Sequence, residues 1–283
     1  YVRNYGFEAM LSYGHRWGDF GWDSSFTFSA NKNEIVELVK DYVHPETGKT
    51  YNVDKLELKT DEGRGFGKAK FILKEGGTLG DLYTHADLKR DINGNILIDD
   101  SGNVTAIDNA GDIKLGSVLP KANLAWNNSF SYKGINAGFL LTARLGGIVY
   151  SATQAYLDLY GVSETSAAAR DAGGVWINGR SRVNPQSFYE VVASQSGLPT
   201  YYTYSATNLR LQEAHIGYTI PRRWLGNVCD INVSLVGRNL WMIYCKAPFD
   251  PEAVATTNNY YQGIDYFMMP STRNIGFNIK INF

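Results

Sequence analysis

From Ile275 to Phe283 every second residue is apolar, and the residues between them are Gly, Asn or Lys. A period of two, with one dry and one wet face, specifies a β-strand rather than an amphipathic helix, whose apolar positions return every three or four residues. The pattern recurs in six further segments of about ten residues, the length a tilted strand needs to cross a bilayer. The expected strands cover about 4–16, 22–33, 121–132, 135–146, 208–220, 230–241 and 273–283. One face carries residues such as Phe7, Phe26, Trp126, Phe139, Ile216 and Phe277. The other carries Glu8, Thr27, Asn127, Arg144, His215 and Asn278.

The connections alternate in length. WGDFG, Lys133-Gly134 and PRRWLGNVCD are short, whereas 34–120, 147–207 and 242–272 are long. Long structureless loops are unusual in compact soluble domains, and long loops on one side with short turns on the other characterise outer-membrane barrels. The expected fold class is therefore all-β: a transmembrane antiparallel β-barrel, of which this chain supplies seven strands. With Phe283 at the periplasmic rim, every short turn falls on the periplasmic side and every long loop outside. Trp17, Phe20, Trp22, Tyr132, Tyr218 and Trp224 then form a periplasmic aromatic belt, with Tyr5, Tyr150 and Trp241 nearer the outer one. The first long loop must cross the membrane an even number of times. The expectation is none, with a hairpin near Ile96–Ile107 standing above the membrane. A soluble β-sandwich explains the alternation equally well. It does not explain ten-residue strands with all the long loops on one side.

Composition narrows the partners. Charged residues make up 19% of the chain and the formal net charge is -1, so no global field gathers nucleic acid. Gly numbers 29 and Tyr 19, a strand-and-turn composition. No apolar run reaches the 18 to 20 or so residues of a membrane-spanning helix. The chain opens on YVRNYGFEAML, without an initiator Met or a signal-like apolar stretch, and is expected to be the C-terminal part of something longer. Cys229 and Cys245 flank an extended run and are expected to be free thiols.

Several stretches resemble one family. RNYGFEAML is similar to the Asn-x-Gly-Phe-Glu strand, and FTFSANKNEIVEL to the Phe-Ser-x-Asn-x-Asn-x-Ile exit, of the SusC-like (SusC/RagA) TonB-dependent outer-membrane transporters. YSATNLRLQEAHIGYTIPRRWL resembles that family's Tyr-Leu-Arg-Leu segment with its Gly-Tyr-x-Leu-Pro end. VSLVGRNLWMIYCKAPFDPEAV resembles its Gly-x-Asn-Leu strand followed by Asp-Pro-Glu. The chain departs from the pattern at GSVLP, where Gly-Asn-Pro-x-Pro is expected, and at SETSAAARDAGGVW, which replaces an Arg-Trp-rich loop. The resemblance implies a plugged barrel of the 22-stranded type, of which this is the C-terminal part of the wall. It also implies active import of a glycan, oligosaccharide or peptide across the outer membrane of a Gram-negative, Bacteroidetes-like bacterium. The implied partners are the remainder of the barrel and its plug, TonB, outer-membrane lipid and a SusD-like surface lipoprotein. A passive porin, a surface adhesin barrel and a soluble carbohydrate-binding sandwich are the rival readings.

No catalytic signature is present. His15, His44, His85 and His215 are scattered, and no His-Glu-x-x-His, Cys-x-x-Cys or Gly-x-Ser-x-Gly pattern occurs, so no catalytic group, metal site or cofactor is expected. GRGFG at Gly63–Gly67 reads as loop. DINGNILIDDSG has the acids of a calcium loop at the wrong spacing and reads as turns. Asp250-Pro251-Glu252 likewise reads as a structural turn. The loop 147–207 is the most promising ligand surface, because Tyr and Trp faces stack on sugars or peptide side chains while Arg supplies directional hydrogen bonds. The candidate ligand-binding residues are Tyr156, Tyr160, Trp176, Arg180, Tyr201 and Tyr202. Two short helices with Ser at their starts are expected over Ser151–Tyr160 and Ser163–Ala172.

Overall fold

The computed structural model describes residues 1–58, 66–255 and 261–283. Seven strands form one antiparallel sheet: β1 (Val2–Trp17), β2 (Phe20–Ile35), β3 (Ala122–Tyr132), β4 (Ile135–Leu145), β5 (Asn208–Ile220), β6 (Asp230–Cys245) and β7 (Asn274–Asn282). They lie side by side in sequence order, each paired with the next, and β1 and β7 form the sheet edges.

Turn chemistry sets the register. Trp17 pairs with Phe20 around Gly18-Asp19, with Gly18 at φ +61°, a positive first turn position that glycine adopts without strain. Tyr132 pairs with Ile135 around Lys133 and Gly134, both at positive φ as a type I′ turn requires. The β5–β6 turn is longer and is tied by Arg222 to Asp230, 3.2 Å apart.

The apolar face is open to the surroundings: Phe277 is 78% and Ile216 57% exposed. Polar residues interrupt it, among them Ser24 and Asn128, each of which accepts a hydrogen bond from a tryptophan. Ser24 and Asn128 are direct cross-strand partners. The Trp126 Nε1–H donates to Ser24 Oγ at 3.0 Å and the Trp22 Nε1–H to Asn128 Oδ1 at 3.1 Å. Asn128 is thereby buried beneath rings, with no hydrogen-bond partner for its Nδ2 among the described residues.

The strict alternation breaks in β5 and β6. Leu140 and Leu141 of β4 face Glu213 and Leu211, which leaves Gln212 as an extra residue on β5. Between Arg238 and Trp241 the β6 strand advances three residues while β5 advances two, with Asn239 at φ +52°. These bulges reset which residues face outward. The β6 strand runs to Cys245, past the expected end near 241.

All three long connections leave the same end of the sheet and fold together into a head. The first contains a four-stranded sheet of 55–57, 69–74, 81–84 and 113–117, and a hairpin of 39–43 with 50–53. The 87–107 stretch folds as a small hairpin that stays in the head, joined at Asp87–Leu88 and Ala106–Ile107. Two backbone clasps shorten this connection: Ile35 with Gly76 and Gly77, and Gly80 with Val118. The second connection carries α1 (Ala152–Leu159), α2 (Glu164–Asp171) and α3 (Pro185–Val192). A strand of the third, Ile264–Asp265, pairs in parallel with Ile148–Ser151 of the second. Phe71, Leu82 and Val118 of the first connection, Tyr150 and Phe188 of the second and Ile264 of the third share one apolar core.

Tyr150 corrects the expected outer belt. Gly146 and Gly147, both at positive φ, turn the chain away from the wall directly after β4. Tyr150 is consequently fully buried in the head, its hydroxyl donating to the Ser196 carbonyl at 2.5 Å. Cys229 and Cys245 are both free. Gly63 to Arg64 and Gly65 of the GRGFG stretch lie outside the described residues.

Candidate functional site

The second connection is held by helix caps. Ser151 Oγ accepts from the Gln154 N–H at 3.0 Å and donates to Asp265 Oδ2 at 2.6 Å, so a single hydroxyl starts α1 and fastens the third connection. Ser163 Oγ accepts from the Ser166 N–H at 2.9 Å to start α2. Asn184 caps α3 through the Gln186 N–H, with Pro185 at the first helical position. This third helix was legible in Asn184-Pro185 followed by Phe188, Tyr189 and Val192, yet it lies outside the two helices expected.

The structure distributes the six candidate residues over several places. Tyr202 is 2% exposed in the core of the head, and its hydroxyl donates to Asp158 Oδ2 at 3.0 Å. Burial, reinforced by the Asp158 charge, pushes its phenol far above the ordinary range. A ligand reaches this ring only if the core opens. Tyr201 is half-buried edge-on against Phe188, and burial raises its phenol too. Tyr156 joins an aromatic cluster with Phe267 at 5.4 Å and Tyr266 at 6.3 Å. Tyr160 is 75% exposed and lines a cavity of about 460 Å³ between the three helices, together with Arg170, Gln186 and Tyr189.

Trp176 and Arg180 sit on a hairpin of Val175–Ile177 with Ser181–Val183, around an Asn178-Gly179 turn. The Trp176 ring is covered by the Arg182 guanidinium, 4.4 Å from its centroid. Arg180 lines an open depression of about 380 Å³ with Asp91 and Asn95. Asn178 joins this hairpin to the first connection by exchanging hydrogen bonds with the Ile96 backbone, at 3.0 and 2.8 Å. Asp91 and Asp99 accept backbone N–H groups two and four residues ahead, so these acids shape turns.

Asp250-Pro251-Glu252 is a latch on the wall. The Arg210 guanidinium of β5 donates to both Asp250 oxygens, at 2.8 and 3.1 Å, and Glu252 lies 3.3 Å away. The Asn208 amide also donates to Glu252, at 3.1 Å. Burial alone would raise the Asp250 carboxyl. Hydrogen bonds from Arg210, the Glu252 N–H and Ser271, with the Arg210 charge, outweigh it and hold the group below the usual carboxylate range.

A further concavity lies where the head overhangs the polar face of β1 and β2. It encloses about 290 Å³ between Asn4, Asn31 and Asn33 on the wall and Leu58, Leu73 and Leu79 of the head. A smaller one of about 150 Å³ continues along the wall past Glu8, Ser29 and Asn123, sharing Asn31 and Leu119 with the first. Sequence reasoning missed both, because their residues come from segments far apart in the chain. Among the described residues no group of three or more His, Cys, Asp or Glu is arranged to hold a metal ion.

No protein-family model matches the chain. It is 25% identical to TonB-dependent receptor P3 of Formosa agariphila over 93% of its length, and 25% identical to TonB-dependent receptor P26 of the same organism over 100%. TonB-dependent receptor P39 is 23% identical over 93%. The chain spans only 27 to 29% of these curated relatives. Among solved structures, two of the RagAB peptide transporter, one of them of the importer in a closed-closed state, cover 100% of this chain with TM-scores of 0.65 and 0.64. They are 16% identical to it, and the match takes up 30 and 29% of their matched chains. By sequence over nearly its whole length this chain is similar to TonB-dependent receptors, and by fold it is an all-β segment of a barrel like the one in the RagAB structures.

Proposed function

We propose that this chain forms wall and surface head of an outer-membrane importer that takes up a glycan, oligosaccharide or peptide with energy delivered through TonB. The observation that carries this reading is the two-faced sheet with a folded head at one end only. Its open apolar face suits hydrocarbon, its polar face suits an aqueous interior, and the compact head suits ligand capture at a mouth. The short turns then point to the periplasm and the head to the outside. The unpaired edges of β1 and β7 require further strands, since exposed backbone groups are costly in lipid. A SusD-like lipoprotein closing over the head is the partner this reading calls for.

Deletion of the encoding gene should abolish growth on one nutrient class in a panel of oligosaccharides and peptides, and loss of TonB should give the same defect. Growth that survives loss of TonB would favour a passive pore instead.

A further inference from the structure

The apolar face of the sheet carries its charges in one place. Among the Lys, Arg, Asp and Glu residues of the seven strands, Arg3, Lys32 and Glu34 alone lie on the side of Phe7, Phe28 and Phe277; the rest lie on the polar side. All three stand at the head end of β1 and β2, where Arg3 is the cross-strand partner of Glu34 and Tyr5 that of Lys32. Tyr5 and Lys32 are each about twelve residues from the Trp17–Phe20 turn. A tilted strand crosses the hydrocarbon in roughly ten, so these charges reach the level of lipid headgroups. Charge is not a general property of this rim. At the head end of β3 and β4 the same side shows Ala122 and Leu145, and on β5 and β6 it shows Leu209 and Tyr244.

The cluster keeps positive charge facing outward. The Arg3 Cζ and the Lys32 Nζ each lie 5.6 Å from the Tyr5 ring centroid, within reach of its negative face. Two like charges thus converge on one ring. Glu34 answers only one of them, accepting from Arg3 at 2.9 Å, and Lys32 makes no ion pair among the described residues. One positive charge is left over, on the lipid side of the wall rather than the lumen side. Beneath it, Phe7 pairs with Ala30 and Ala9 with Phe28, so two rings, 6.2 Å apart, alternate with two alanines. The short alanines leave low ground between the rings that suits an acyl chain. We propose that Arg3, Tyr5 and Lys32 bind the phosphate of an anionic, acylated lipid in the outer leaflet, with one chain lying over Ala9 and Ala30. A phosphate fits because it meets the Lys32 ammonium as a point charge and accepts from the guanidinium nitrogens of Arg3 that Glu34 does not use. The proposal rests on the outer-membrane reading and adds to it a lipid class and a place on the wall.

The test uses the full-length parent protein, stripped of lipid in detergent and presented with phosphatidylglycerol, phosphatidylcholine or soluble glycerol phosphate. Native mass spectrometry counts the lipid retained. Phosphatidylglycerol should be retained over phosphatidylcholine, and glycerol phosphate should not displace it. Lys32→Gln and Arg3→Gln should each weaken that preference by about fivefold, which is what one cation beside an anionic headgroup contributes, and Lys32→Arg should keep it. Should a variant fail to assemble, the unaltered protein supplies the second readout. A phosphatidylglycerol with a photoreactive acyl chain should label β1 and β2 around Phe7 and Phe28 ahead of β3 to β7, mapped by digestion and mass spectrometry. Equal retention of both lipids overturns the headgroup chemistry, and displacement by glycerol phosphate overturns the lipid source. A preference unchanged in both Gln variants, as a carboxylate on an adjoining strand already paired with the cations would produce, overturns the site. So does labelling spread evenly over the wall. Failure of the outer-membrane reading looks different, because the protein would then stay dispersed in plain buffer and fractionate away from membranes.

Discussion

Arg210 shows how one residue joins wall to head. It sits on β5, yet its partners, Asp250 and Glu252, belong to the third connection. The Arg210 and Asp250 side chains are both nearly enclosed. Replacing Arg210 by Met leaves a buried carboxylate unpaired, a loss expected to be about 3–5 kcal/mol. Faster proteolytic cleavage in 246–272 would report it. Lys at this position should restore little, since it cannot supply the two parallel hydrogen bonds. The pH dependence has a definite sign. The Asp250 carboxyl lies below its ordinary value in the folded protein. Its contribution is therefore complete above the unfolded value, about 3.9, and is lost only as pH falls through the lower folded value. Acid-protease digestion across pH should show the latch holding at pH 5 and opening in stronger acid.

At the scale of elements, β2 and β3 are joined by a crossed pair of indole hydrogen bonds, Trp22 to Asn128 and Trp126 to Ser24. Trp22→Phe deprives Asn128 of its acceptor contact and should destabilise the barrel by about 1–3 kcal/mol, because a buried polar group is left unmatched. Adding Asn128→Leu should recover most of that loss, which midpoints of denaturant unfolding would detect. Two equally destabilised proteins would contradict this account. The strands themselves were legible because one side of the sheet is predominantly apolar, as from Ile275 to Ile281. Legibility ended where backbone irregularity intervened: nothing in the residue types at Gln212 or Asn239 announces an extra residue in the ladder. The candidate tyrosines were beyond pattern reading for a different reason. Tyr160 and Tyr202 look alike in a loop sequence, and only packing against the other two connections places one at a rim and the other in a core.

For the whole molecule, the shared core makes the three connections one body. Ile264 is fully buried, and the short strand that carries it pairs with Ile148–Ser151. Ile264→Ala should cost about 2–5 kcal/mol of head stability. Limited proteolysis should then cut all three connections sooner, while the seven-strand wall stays resistant. Cleavage confined to the third connection would show that the core is not cooperative.

The two backbone clasps in the first connection bear on how such a sheet assembles in time. Strands β2 and β3 must meet across the stretch from 36 to 121, and closing so long a chain costs about 3 kcal/mol more than a two-residue turn. Ile35 to Gly77 and Gly80 to Val118 divide that single distant encounter into successive shorter ones. Once both are made, the end of β2 and the start of β3 are already neighbours. Pairing of the sheet can then proceed as though the two strands were joined by a hairpin, with the folded head serving as its template.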